Sequence, residues 1–218
     1  MKNDNEFSKL YFDTAYGPYY QLRNPRHKWV SFLAEIRKHI SKGELLDIGC
    51  AYGLFLKEAS QYFECTGTDI SEHAISYARS TLPDDIEVFV GAAGSLPSNR
   101  QYDLVTCFDV LEHTKDLGEA LDNIYTLLKE NGVLVITVPV YDGPLGWLVN
   151  ILDKDTTHTY RSSRGFWLDE VSKRFDILDH VGIWRYFFFH KYYLNLVSRK
   201  TRNITPAMMI LARKTAKK

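Results

Sequence analysis

Apolar residues come in short runs along most of this chain, and the runs alternate between two spacings. Trp29, Val30, Phe32, Leu33, Ile36 and Ile40 recur every three or four residues, the stripe of a helix packed on one face. Asn24 and Pro25 stand where an N-cap and a first-turn proline belong, and Gly43 stands where such a helix stops. Glu44–Ile48 reads as a strand, Gly53–Tyr62 as a helix and Phe63–Asp69 as a second strand. Ser71 caps a helix running to about Thr81, and Ile86–Val90 and Asp103–Phe108 read as strands three and four. Leu117–Lys129 is helical, Asn131-Gly132 breaks it, and Val133–Val138 is a strand apolar but for Thr137. Strands this apolar have no water-facing side. Their regular alternation with helices predicts an α/β fold, a parallel sheet with helices on both faces.

After residue 140 the pattern changes. Gly143, Pro144 and Gly146 mark a loop, Leu145–Leu152 is an apolar insertion and Gly165–Arg174 a helix. Two longer strands, about Phe175–Phe188 and Ala207–Arg213, finish the chain. No linker divides the 218 residues, so the expected organisation is an N-terminal aromatic segment and helix (1–43) on a main domain (44–218). That domain carries an insertion at about 140–164.

The formal net charge is zero but unevenly spread, because His180 to Lys218 holds nine cations and no acid. With the aromatics from Trp184 to Tyr193, that region fits either peripheral contact with an anionic membrane or lipid, or a covered strand pair with a solvated basic tail. A homodimer contact is a further reading of the same apolar surface. Cys50, Cys65 and Cys107 form neither a disulfide framework nor a zinc set. The polar N-terminus and the lack of a membrane-length apolar run lead to a cytoplasmic expectation.

The segment Leu45-Leu46-Asp47-Ile48-Gly49-Cys50-Ala51-Tyr52-Gly53 joins the first strand to the following helix, where an open α/β sheet binds its ligand. Glycine suits a backbone that must turn sharply and approach that ligand. The second strand ends in Gly67-Thr68-Asp69-Ile70-Ser71, placing a carboxylate roughly twenty residues after the turn, as ribose recognition requires. Asp69 also fits an ordinary role at the N-terminus of the next helix.

With these segments the chain resembles the class I S-adenosylmethionine-dependent methyltransferases, in the small-molecule branch that carries a VLEH segment. LLDIGCAYG is similar to the first motif, TGTDIS to the second and GAAGSLP to the adenine loop. YDLVTCFDVLEH is similar to the fourth strand and its turn, and LLKENGVLVITVP to the fifth-strand motif. The resemblance spans about residues 44 to 139, and more weakly the stretch HTYRSSRGFWLDEVSKRFDILDHVG. It implies a Rossmann-like, mostly parallel sheet of seven strands with the last one antiparallel. It also implies S-adenosylmethionine as methyl donor and a small molecule as acceptor. Asp47, Gly49, Cys50, Ala51 and Gly53 would surround the amino-acid and sulfonium end. Asp69 and Ile70 would hold the ribose and one adenine face, Ala92 and Ala93 would lie beside the adenine, and Phe108 would flank the donor. The family often has Gly at position 51 and Asp at position 92, where this chain has alanine. Without that acid, one adenine contact worth roughly 1–3 kcal/mol must come from elsewhere.

Transfer to oxygen or nitrogen calls for a base near the acceptor. His113, just past the fourth strand, and His158, in the insertion, are the candidates, each balanced by a structural reading in which it ties down a loop. Glu112 beside His113 makes too small a set to define a metal centre, so none is expected. Tyr11, Tyr16, Tyr19 and Tyr20 fit a lid over the donor, or packing against the first helix. Two alternatives keep the fold: a non-catalytic module binding S-adenosylmethionine or S-adenosylhomocysteine, and, against the glycine spacing, an NAD-linked oxidoreductase. A nucleic-acid substrate is disfavoured, since no N-P-P-Y type motif is present.

Overall fold

The computed structural model describes residues 20–97, 99–153, 155–188 and 192–215. A helical turn, α1 (Tyr20–Arg23), precedes helix α2 (Arg26–Ile36). The alternating part follows as β1 (Glu44–Ile48), α3 (Leu54–Ala59), β2 (Glu64–Asp69), α4 (Glu72–Thr81), β3 (Glu87–Val90), β4 (Tyr102–Phe108), α5 (Leu117–Leu127) and β5 (Leu128–Pro139). Helices α6 (Gly146–Leu152) and α7 (Arg164–Ser172) come next, then β6 (Asp176–Phe188), β7 (Tyr192–Ser198) and β8 (Ala207–Arg213).

All eight strands form one sheet in the order β3-β2-β1-β4-β5-β8-β6-β7. Strands β1 to β5 run parallel, whereas β8 pairs antiparallel with β5 and β6, and β6 with β7. As expected, the last strand, β8, is inserted antiparallel, between β5 and β6; the sheet has one strand more than expected, at its β7 edge. The extra strand, β7, lies across from β6 with Trp184 opposite Leu196 and Arg185 opposite Asn195. Phe188 pairs with Tyr192, so the two strands are sequence neighbours, and the run between them carries no Gly, Pro, Asn or Asp to signal the break.

Consecutive strand residues feed opposite layers, as the pleat requires. Leu45, Cys65, Leu104 and Val135 join Trp29, Phe32 and Ile36 of α2 and Phe55 of α3 on one face. Leu46, Val105, Cys107 and Ile136 join Leu121 and Ile124 of α5 and Trp167 of α7 on the other. The three cysteines are buried free thiols within these layers.

Several boundaries differ from the sequence pattern. Pro25, not Asn24, is the N-cap of α2, because the Asn24 amide turns back to the Tyr20 carbonyl and its oxygen accepts from Lys28. That helix also stops at Ile36, well before Gly43. At the other side of the sheet α5 gives way to β5 directly at Leu128, and Asn131 takes a left-handed φ of 63° inside the strand. The predicted caps at Ser71 holds, its hydroxyl accepting from the Ala74 amide.

Among the described residues, several cations of the basic C-terminal region are paired internally. Arg185 meets Asp109, Arg199 meets Glu35 and Asp179, and Lys214 meets Glu130 and the Leu128 carbonyl. Among the described residues no helix is long and apolar enough to cross a membrane.

Arg164 ties the insertion to the strand pair. Its guanidinium donates to the Asp142 carboxylate and to the carbonyls of Arg202 and Thr205, and it is almost wholly buried. Arg164→Ala strips these acceptors of their donor, so denaturant unfolding should show a loss on the order of 3 kcal/mol.

Candidate functional site

Strand order reverses between β1 and β4, so the carboxyl ends of these two strands open a crevice. Into it turns the backbone from Gly49 to Gly53. Gly49 has a φ of 77°, and a Cβ there would stand 2.2 Å from the Val110 Cγ2. Only glycine can take that path. Ala51 is itself left-handed, at φ 47°. The turn is anchored from below, as the amides of Gly49 and Cys50 both donate to the Thr68 carbonyl, at 2.7 and 2.9 Å.

Asp69 closes the turn from the side. One carboxylate oxygen accepts from the Ala51 amide and the other from the Ser71 amide, both at 2.9 Å. Burial pushes this carboxyl up, and the two backbone donors oppose the shift. Each oxygen keeps a further lone pair for a ligand hydroxyl.

A cavity of about 450 Å³ lies against the turn. Asp47, Gly49, Cys50, Ala51, Asp69, Ile70, Ala92, Ala93, Phe108 and His113 all line it. Gly53 and His158 do not. Gly53 instead sets the entry to α3 with a left-handed φ of 74°, where a Cβ would strike Leu82. Ile70 is half exposed at the rim. Of the tyrosines read as a lid, Tyr20 alone is described; its ring packs 4.5 Å from that of Tyr52 in the turn, while Tyr11, Tyr16 and Tyr19 lie outside the described residues.

The floor of the cavity is charged. Asp47 is buried, and its carboxylate accepts from the Thr106 hydroxyl at 2.7 Å. Burial lifts it to about 7, with Thr106 opposing. Lys28 reaches the same wall from α2, its ammonium donating to the Asn24 side chain at 2.9 Å. Burial lowers it to about 8, against the pull of Asp109. Asp109 accepts from Arg185 at 2.7 Å and from Thr137 at 3.0 Å. Burial works to raise its pKa, yet Arg185 and Lys28 together hold it below the ordinary carboxylate range. Neither Lys28 nor Asp109 was singled out from sequence. A signal existed for Lys28: it sits four residues before Phe32, a cation on a helix face that is otherwise apolar.

Glu112 and His113 occupy a short 3-10 turn after β4. The Glu112 carbonyl accepts from the amides of Thr159 and Tyr160, at 2.8 and 3.1 Å, which draws the insertion back over this turn. His158 is thereby brought beside His113, with ring centroids 4.7 Å apart and the rings tilted by 51°. Burial lowers the His113 pKa, and His158 adds to the effect. Burial, with Asp109 behind it, pushes Glu112 well above the ordinary carboxylate range. The adjacent pair visible in the sequence has gained a third member, which no local spacing announced.

Residues 20–200 match the family model described as methyltransferase domain. A curated relative, the ubiquinone biosynthesis O-methyltransferase of Rickettsia akari, is 28% identical over 131 residues, 57% of this chain and 52% of that protein. The chain thus spans about half the length of the curated relatives it matches. Among solved structures, a SAM-dependent methyltransferase from Thermotoga maritima superposes with a TM-score of 0.69 at 17% identity, covering 94% of this chain and 98% of that one. The N-methyltransferase NodS from Bradyrhizobium japonicum, bound to S-adenosyl-l-homocysteine, superposes with a TM-score of 0.64 at 15% identity, covering 88% and 87%. These two likenesses speak for the fold, and the family match for descent: the chain belongs to the methyltransferase domain family, among the class I S-adenosylmethionine-dependent methyltransferases.

Proposed function

We propose that this chain transfers the methyl group of S-adenosylmethionine to an oxygen or nitrogen of a small-molecule or lipid-like acceptor. One observation carries the reading: a single cavity runs from the glycine turn and Asp69 at one end to His113 at the other. Donor and acceptor groups would therefore share one water-poor space, where holding the reacting atoms in line supplies much of the rate. The curated relatives' name, O-methyltransferase, supports oxygen as the accepting atom.

In this reading the main domain begins at residue 44, and the segment before it supplies Lys28 and the Tyr20 side of the rim. Gly49, Cys50 and Ala51 pass the donor's amino-acid end, with Gly53 fixing the turn. The spare lone pairs of Asp69 hold the ribose hydroxyls, and Ile70 and Phe108 flank the ring and the sulfur. Ala92 and Ala93 offer only backbone to the adenine. The missing acid is replaced from α5: Glu119 lines the same cavity, and its carboxylate oxygen lies 3.7 Å from where a Gly94 Cβ would stand. Lys28 suits the donor's carboxylate and Asp47 its positive groups. His113 meets the acceptor, and His158 stands behind it. A lipid-like acceptor, or peripheral contact with a lipid surface, is supported by Trp147, Ile151 and Leu152 on α6, each more than half exposed. The paired cations of the C-terminal region lend less support than their number promised.

Calorimetric titration with S-adenosylmethionine and with NAD tests the donor assignment. The native chain should bind the former and not the latter, and Gly49→Asp should abolish binding while circular dichroism stays native. Glu119→Gln should weaken binding by roughly tenfold, the worth of one charge-assisted hydrogen bond, and should narrow the preference for adenine over hypoxanthine in the matching inosyl analogue. Turnover is tested with labelled donor and metabolite extracts; binding of donor and product with no methyl transferred would mark a binding module instead.

The charged floor predicts a pH profile. A cationic donor favours ionised Asp47, so affinity should rise as pH climbs through about 7. It should fall again above about 8, as Lys28 loses the proton that attracts the donor carboxylate. Titrations between pH 5.5 and 9.5 (roughly the span of both groups) should show both limbs. Asp47→Asn should flatten the acid limb alone, and Lys28→Met the alkaline one.

A further inference from the structure

At the acceptor end, one donor atom each from Glu112, His113 and His158 lies within 4.8 Å of the others. Tetrahedral ligands bound at about 2.0–2.2 Å stand roughly 3.3–3.6 Å apart, so ion binding would draw these side chains together by up to roughly 1.5 Å. A second observation is independent of the spacing. Glu112 is 1% exposed, and its Oε2 has no hydrogen-bond partner. A buried carboxylate oxygen left unmatched is costly, and a cation would satisfy it.

The surroundings of the two imidazoles point the same way. Asp153 accepts from the His158 Nδ1 at 2.7 Å and from the Tyr141 hydroxyl at 2.5 Å. A carboxylate can only accept, so the His158 proton sits on Nδ1 and the lone pair on Nε2. At His113 the chain of donors is one link longer. The Thr157 hydroxyl donates to Asp155 at 2.5 Å, so it must accept from the His113 Nδ1, 2.9 Å away. Each ring is therefore held by a carboxylate, directly or through a hydroxyl, with Nε2 presented as a ligand atom. Outer contacts of this type orient metal-bound histidines. A loop that served only to cover the site would need neither arrangement.

We propose that Glu112, His113 and His158 bind a divalent transition ion of the zinc type, with the position facing the cavity left for the acceptor oxygen. Two imidazoles and a carboxylate with one open position are a donor set suited to such an ion in catalytic sites. This rests on the methyl-transfer reading and deepens it, narrowing the acceptor to a hydroxyl-bearing molecule. Bound to the ion, the hydroxyl gives its proton to solvent more readily. Its oxygen pair then forms the bond to the methyl carbon, the carbon–sulfur bond breaks with its pair on sulfur, and a methyl ether and S-adenosylhomocysteine result.

Zn²⁺ alone is the probe. The full chain, treated with chelator and dialysed, should bind one Zn²⁺ in calorimetry and in elemental analysis. His158→Ala and Glu112→Gln should each remove that binding. Asp153→Asn, which touches the ion only through His158, should weaken it by roughly 10–100-fold. Affinity for S-adenosylmethionine, measured on the same samples, should be unchanged in His158→Ala. No Zn²⁺ on a chain that binds S-adenosylmethionine, or equal Zn²⁺ on native and His158→Ala chains, would overturn the metal site and leave the donor reading standing. Failure to bind S-adenosylmethionine despite Zn²⁺ uptake would strike the donor reading instead. Should Glu112→Gln unfold, Asp153→Asn and His158→Ala decide the matter.

Discussion

The carboxylate of Asp69 is the shared acceptor of two pieces of backbone. By accepting the amides of Ala51 and Ser71 it fixes the glycine turn after β1 against the start of α4. Each bond is made to a carboxyl oxygen in a buried setting, where a hydrogen bond is costly to lose. The crevice wall at the sheet's reversal point is thus set before any ligand arrives. Gly49, wedged against Val110, leaves no space for another path.

Behind that wall the protein keeps an unusual amount of charge out of water. Lys28, Asp47 and Asp109, drawn from α2, β1 and the end of β4, line one cavity, and Arg185 of β6 pairs with Asp109. Asp109 is matched by the Arg185 guanidinium and by the Thr137 hydroxyl. Lys28 and Asp47 are less well matched, and both have moved toward neutrality. Such poorly compensated groups destabilise a fold by themselves, so their retention in a cavity speaks for a charged ligand.

The insertion after β5 serves the other end of the cavity. Arg164 fastens it to the C-terminal strands, and the Glu112 carbonyl fastens it to the turn after β4. Between these anchors Asp153, Asp155 and Tyr141 position two histidines that are 45 residues apart in the chain, from 113 to 158. The loop is a scaffold for polar groups more than an apolar wall.

The alternation of apolar runs determined the parallel core, the helices on both faces and the ordering of β1 to β5, because each rests on a local period of two or near 3.6 residues. The left-handed glycine turn and the placing of Asp69 beside it were equally legible, because they are adjacent in sequence or follow a fixed spacing set by one βαβ unit. Helix ends were read less well, since Asn24 found a partner other than the one its position offered. β7 went unread although its partner β6 directly precedes it, because no turn residue separates them. Two features belonged to the tertiary structure alone. Lys28 enters the site through the docking of α2. His158 meets Glu112 and His113 through closure of a long loop. Each depends on contacts between distant segments, whose free energy is settled by the assembled fold and leaves no period in the chain for a reader to find.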